Sequence, residues 1–235
     1  MPNQIPMQGL IVPCVSFMAS RFNLPGGPNP AALIGAIGDH ESGWSTRDQL
    51  EVIDGKLVPG QIGPATGFGQ FEKNGGVSGV MTHPASRNIA AWFIERAGLP
   101  FDKDAVWRSF VTVNGDELHV VFMRLLLLTD PQPIPTADSS SEEAAFRYYL
   151  RSWRPGAWFN NADGSPKRLE LRSRWSRNWA SALSAVSEVS WDAATTAPPL
   201  PADSSPTTTN NAATVQDLVR EIRERLDMIE AIAGH

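Results

Sequence analysis

Gly38-Asp39-His40-Glu41-Ser42-Gly43-Trp44 reads as the closing turn of a helix. Upstream, Asn29-Pro30 forms a cap followed by a proline at the first helical position. Leu33, Ile34 and Ile37 mark an apolar stripe, and Glu41 falls one turn beyond Ile37 on that stripe. Gly43 stands where a left-handed helix stop is expected. The Glu41 carboxylate is therefore expected to be half-buried beside the negative end of a helix dipole. Desolvation and the dipole both disfavour its charged form and raise its pKa. A carboxylic acid that holds its proton near neutral pH is what general-acid catalysis requires. The plain alternative is a glutamate fraying into solvent at a helix end.

Around this turn, residues 1–191 read as one mainly helical unit. Helices are expected at Val12 to Phe22, Pro30 to Ser42, Pro84 to Ala97, Asp102 to Thr112, Asp116 to Leu128, Ser141 to Trp153 and Lys167 to Val189. In the last, Leu171, Trp175, Trp179, Leu183 and Val186 recur at helical spacing. Ser139-Ser140-Ser141 before Glu142-Glu143 is expected to cap its helix, with acids in the first turn. Strand signals are scarce: Val52-Ile53 and Lys56-Leu57-Val58 flank Asp54-Gly55 as a small hairpin. Residues 192–214 turn to Ala, Thr, Pro, Ser and Asn, a linker too poor in large apolar groups to fold alone. Beyond it, Val215, Val219, Ile222, Leu226, Ile229 and Ala233 line one face of an amphipathic helix over residues 215–235, a coiled coil or docking helix. Such a helix needs a partner for its stripe, through self-association, another protein or its own domain.

The 235 residues suffice for one domain and an appendage. A net charge of −5 supplies no global positive field and argues against nucleic-acid binding. Locally, eight basic residues between Arg147 and Asn178 face only Asp163 and Glu170, which suits either an anionic polymer or a solvated helix face. The single cysteine, Cys14, sits among Ile11, Val12, Val15 and Phe17 as a buried apolar group. The four histidines show no ligand spacing, so no metal and no cofactor are expected. The apolar run Gly9 to Ala19 lacks a basic flank and contains Pro13, a poor export signal. Val120 to Leu128 is too short to span a bilayer and carries Arg124, so no membrane span is expected.

Gly63-Pro64-Ala65-Thr66-Gly67-Phe68-Gly69-Gln70-Phe71 is the second informative stretch. Its glycines let backbone approach a ligand closely, and Gln70 offers both a donor and an acceptor. N-acetyl and hydroxyl groups of sugars demand such mixed hydrogen bonding, although a tight structural loop would read the same way.

Taken together, Glu41-Ser42-Gly43, Ala65-Thr66-Gly67-Phe68-Gly69-Gln70 and His83-Pro84-Ala85-Ser86-Arg87-Asn88-Ile89 resemble, in order, the motifs of the lytic transglycosylases and goose-type lysozymes. The resemblance covers about residues 10–155. His83 stands where that family has an acid before the proline. Phe146-Arg147-Tyr148-Tyr149-Leu150 stands where it has Ala-Tyr-Asn, and the interval from Glu41 to Gln70 is long enough for an insertion. The resemblance implies a mainly α, lysozyme-like domain with a small β-hairpin region. It implies Glu41 as the lone catalytic acid and base, with Ser42 orienting it and Gln70, Phe68, Asn88 and a tyrosine, Tyr149 or Tyr148, contacting sugar.

The implied reaction breaks the bond between N-acetylmuramic acid and N-acetylglucosamine of peptidoglycan. An anhydro-muramyl end forms without consumption of water. Asp48, Glu51, Asp54 and Glu72 lie near the site in sequence and would serve a lysozyme-type hydrolysis instead. Of the eight tryptophans, Trp44 and Trp158 suit a glycan groove, while Trp175 and Trp179 suit packing. The expected partners are peptidoglycan glycan strands and whatever binds the 215–233 helix. The expected setting is a bacteriophage tail or virion component, made in the host cytoplasm and acting at the wall. A released phage lysis enzyme, or an inactive particle protein that keeps the fold, are the alternatives.

Overall fold

A computed structural model describes residues 4–53 and 56–191. Among them nine α-helices follow in order: α1 (Val12–Phe22), α2 (Pro28–Ser42), α3 (Ser78–Thr82), α4 (Arg87–Arg96), α5 (Lys103–Ser109), α6 (Asp116–Leu127), α7 (Glu142–Trp153), α8 (Gly156–Phe159) and α9 (Pro166–Ser187). Between α2 and α3 lies a three-stranded antiparallel sheet, β1 (Asp48–Ile53), β2 (Lys56–Thr66) and β3 (Phe71–Glu72), in that spatial order. The molecule is mainly helical with a small sheet. Among the described residues no helix is long and apolar enough to cross a membrane. The expected linker 192–214, the helix 215–235 and the turn Asp54-Gly55 lie outside the described residues.

Two helices apolar on nearly every side form the centre. α2 is buried continuously from Pro30 to Gly38, and α6 from Leu118 to Leu127. Such all-round burial marks helices enclosed by others rather than lying on a surface. α1 and α4 cover α6, and α9 lies along α2, presenting Trp175, Trp179, Ala182 and Val186 to the core. Arg124 is buried within α6, where its guanidinium donates to the Pro25 carbonyl at 2.8 Å. Burial pushes it down to about 10, leaving it a cation at neutral pH.

Several expected boundaries shift for local reasons. α2 starts at Pro28 rather than at an Asn29-Pro30 cap: Gly27 (φ 82°) precedes it, and Asn29 Oδ1 accepts from the Ala137 N–H at 2.9 Å. The three serines form a single 3₁₀ turn whose cap is Asp138, accepting from the Ser141 N–H at 3.0 Å, so the cap lies one residue before the serine run. α4 begins at Arg87, not Pro84. Residues 83–86 make a turn in which Ala85 N–H donates to His83 Nδ1 and Ser86 donates to the Val80 carbonyl. The hairpin is longer than expected, pairing Asp48 with Thr66, Leu50 with Ile62 and Val52 with Leu57. Two register shifts absorb the interruptions, and Pro59, Gly60, Gly63 and Pro64 hide the second strand from a reading by alternation.

Candidate active site

The last turn of α2 carries Glu41 to the floor of a cleft of about 610 Å³. Gln49, Gln70, Glu72, Trp153 and Arg154 line it as well. The chain leaves α2 through two successive left-handed residues, Gly43 (φ 63°) and Trp44 (φ 55°). This reversal folds Trp44 back along its own helix, where Nε1 donates to the Gly35 carbonyl at 2.9 Å. A Cβ on Gly38 would lie 2.3 Å from the indole, so glycine there is what admits it. Trp44 is thus a clamp on the helix end and does not line the cleft. Ser42 also turns inward, donating to the Gly38 carbonyl at 3.1 Å, and makes no hydrogen bond to Glu41.

Of the two tyrosines, Tyr149 is the one that reaches Glu41. Its hydroxyl donates to Glu41 Oε1 at 2.5 Å, and its ring stacks on Trp175 at 4.9 Å between centroids. Tyr148, one residue earlier on α7, donates instead to the Leu127 carbonyl at 2.6 Å, a packing role. Burial pushes Glu41 up to about 7, against the opposing pull of the Tyr149 hydrogen bond and the nearby Arg174 charge. Burial likewise pushes Tyr149 far up, so its hydroxyl remains a donor. Arg174, on α9, is a residue that sequence reading did not single out. Beside Glu41 the buried His40 packs its ring edge-on against Tyr149 and Trp175, and neither ring nitrogen has a hydrogen-bond partner. Burial, then Arg174, pushes His40 down to about 3, so it is neutral.

The loop Gly67–Gln70 is held from beneath by His119 of α6, which sequence reading also missed. Gly69 N–H donates to His119 Nε2 at 2.8 Å, placing the ring proton on Nδ1. Gly67 (φ 73°) lies so close that a Cβ would come 2.3 Å from the imidazole. The close approach expected of these glycines is therefore to the protein's own histidine. Burial pushes His119 down to about 3 and keeps it an acceptor. From the other side, Trp153 Nε1 donates to the Gly69 carbonyl at 2.8 Å and the Arg47 carbonyl accepts from Gly67 N–H. Arg47 in turn makes a two-pronged ion pair with Asp116 at 2.6 and 2.7 Å. Gln70 (φ 49°) is presented to the cleft from this fixed loop, its Nε2 donating to the Gly67 carbonyl at 2.8 Å.

Other expected site residues lie elsewhere. Phe68 is buried between Trp44 and the Arg47 guanidinium. Asn88 is exposed on α4, whose Ala90, Phe93 and Ile94 face the core, and it does not line the cleft. Trp158 packs on Phe146 and under Arg168. Of the four acids named, Glu72 lines the cleft and Asp48 pairs with Thr66 in the sheet. Asp54 and the side chain of Glu51 lie outside the described residues. Most of the basic run is committed locally: Arg147 to Glu143, Arg151 to Asp130, Lys167 to Glu170, Arg168 to Asp163 and Arg172 to Glu142 and Glu143. It is a set of paired helix faces, with Arg154 left in the cleft. A larger open groove of about 1280 Å³, between residues 4–9 and α9, contains none of the expected site residues.

The arrangement is a single proton-holding carboxyl oriented by one phenol, on the floor of a cleft with amide and indole walls. No protein-family model, no curated protein and no solved structure matches this chain.

Proposed function

We propose that this chain is a lysozyme-like enzyme that cleaves peptidoglycan glycan strands as a lytic transglycosylase, with Glu41 acting alone as acid and then base. The observation that carries the reading is the Tyr149 hydroxyl on Glu41 Oε1 at 2.5 Å. It fixes the carboxyl in one orientation and leaves Oε2 to carry the acid proton. Glu41 gives that proton to the glycosidic oxygen between N-acetylmuramic acid and N-acetylglucosamine as the C–O bond breaks. The substrate's own N-acetyl oxygen closes on the anomeric carbon. The Glu41 carboxylate, now stabilised by the Tyr149 hydrogen bond, takes the proton of the sugar's C6 hydroxyl. The C6 oxygen displaces the N-acetyl oxygen and forms the anhydro ring. A group titrating near 7 suits both halves of this cycle, because neither protonation state is costly. Gln70, held rigid by His119 and Trp153, is positioned for the N-acetyl and hydroxyl groups of the strand.

Glu72 on the same cleft supports a second reading, hydrolysis with a water activated by that carboxylate. The setting that fits either chemistry is a phage tail or virion component acting on the wall, tethered by its amphipathic 215–233 segment.

Zymography on purified peptidoglycan with wild type and Glu41→Gln tests the reading. Clearing by wild type and none by the variant is expected. Equal clearing by both, or none by wild type, overturns it in favour of a fold retained without turnover. Product masses that include one added water would replace transglycosylation with hydrolysis.

A further inference from the structure

We infer that Arg154 recognises a carboxylate of the peptide carried by the muramyl sugar, and so makes the cleft selective for peptide-bearing over peptide-free strands. The inference rests on the glycan reading of the cleft and adds the substrate class to it.

Arg154 is the one Lys or Arg among the described residues lining the cleft. It is exposed, and among the described residues no ion pair or side-chain hydrogen bond engages its guanidinium, whereas Arg147, Arg151, Arg168 and Arg172 are all paired with acids. The remaining charged lining groups, Glu41 and Glu72, are acids. A neutral sugar chain needs no cation in such a cleft. An anionic substituent would be repelled by Glu72 unless a fixed positive charge offset it. The guanidinium offers a planar fork that matches a carboxylate with two parallel hydrogen bonds.

The mounting of this charge is also unusual. Arg154 is the left-handed stop of α7 (φ 48°), a position that glycine fills without strain. Among the described residues only four non-glycine residues have such backbones, and two of them, Gln70 and Arg154, line this cleft. Strained backbone at a ligand-facing position is characteristic of binding sites. Trp153 before it is pinned to the Gly69 carbonyl at 2.8 Å, and Pro155 after it has its φ fixed by its ring. The base of the side chain is therefore rigid and tied to the loop that presents Gln70.

The test uses full-length Glu41→Gln protein, which keeps the cleft without turnover, and cosedimentation with glycan strands before and after removal of stem peptides by an amidase, which leaves one lactyl carboxylate on each muramyl sugar; a polymer of N-acetylglucosamine alone is the carboxylate-free reference. Binding to peptide-bearing strands should be about tenfold tighter, and the preference should shrink with added salt. Adding Arg154→Gly should bring the two substrates level without lowering the melting temperature, because glycine relieves the left-handed backbone. Arg154→Lys should keep part of the preference. Equal binding of both strands by the Arg154-bearing protein, or a preference that survives in Arg154→Gly, overturns the inference. If wild type cleaves strands yet binds both equally, only this inference fails. If the preference holds but nothing is cleaved, only the proposed reaction fails. Binding to neither strand overturns both.

Discussion

The Tyr149 hydroxyl donates to Glu41 Oε1 at 2.5 Å, joining α7 to the last turn of α2 across 108 positions of chain. Two opposed effects meet in that contact. Burial raises the affinity of Glu41 for its proton, while the phenol stabilises the carboxylate. Burial dominates, and Glu41 is held at about 7 instead of 4.5.

Glu41→Gln should remove activity and change stability in a pH-dependent way. Loss of the acid is expected to cost about 10²–10⁴-fold in rate. Glu41 titrates near 4.5 in the unfolded chain and near 7 in the fold, so the folded state holds an extra proton between those values. The stability linked to that proton is full below pH 4.5 and is lost as pH rises through 7. The glutamine variant escapes this loss. At pH 8 it should be more stable than wild type by up to about 3 kcal/mol, with the advantage gone at pH 4. Paired urea titrations at the two pH values check this, and an identical difference at both would rule it out.

Tyr149→Phe should move the alkaline limb of the pH–rate profile, expected near pH 7, upward. The variant removes a donor that favours the Glu41 carboxylate, so the acid form persists to higher pH. The same loss leaves the carboxylate without its hydrogen bond when it must act as base, lowering the maximal rate by about tenfold. Tyr148→Phe is the control. It frees the Leu127 carbonyl in the core at a cost of about 1–2 kcal/mol but should leave the limb in place. A limb that stays put or moves down in Tyr149→Phe would contradict this account.

Gly67 and His119 should be energetically coupled. Gly67→Ala must place a Cβ 2.3 Å from the imidazole while keeping φ at 73°, and is expected to cost about 3 kcal/mol or more. His119→Ala opens the space but leaves a cavity and an unpaired Gly69 N–H, a loss of about 2–4 kcal/mol. In the double variant the collision is gone, so the combined loss should fall about 1–3 kcal/mol short of the sum. Strict additivity in chemical denaturation would show that the ring does not hold the loop.

Much of this was legible in sequence where a short-range signal exists. The α2 stop at Gly43 and the position of Glu41 on the Ile37 stripe each rest on a few neighbouring residues. Aromatic direction was not legible. Trp44 and Phe68 flank the site residues in sequence, yet a left-handed backbone at Trp44 and the Arg47 guanidinium over Phe68 turn both into packing. Asn88 depended on a motif position alone, and α4 turns it to solvent. His119 left only a faint trace, a polar residue abutting the apolar run Val120–Leu128, and its meaning depends on a contact 50 positions away. Trp153 was accessible in principle, standing one helical turn after Tyr149 on the same face of α7.

Acid sensitivity should be dominated by the two buried neutral histidines, His40 and His119. Each is held at about 3 in the fold against 6.5 in the unfolded chain. Between those values the unfolded state binds the proton and the folded state does not. Their contribution is therefore full above pH 6.5 and is lost as pH falls through 3. Each contributes about 1.4 kcal/mol per pH unit, and Glu41 opposes one of them down to pH 4.5. From these three groups alone, the profile should fall by about one proton's worth of slope between pH 6.5 and 4.5 and by about two below that. His40→Phe isolates one share. The ring has no hydrogen-bond partner to lose and sits against Tyr149 and Trp175, so an apolar ring should be tolerated at neutral pH. The variant should flatten the profile above pH 4.5 and halve its slope below. Wild-type and variant stability curves running parallel from pH 7 to pH 3.5 would exclude His40 as one of the two titrating groups.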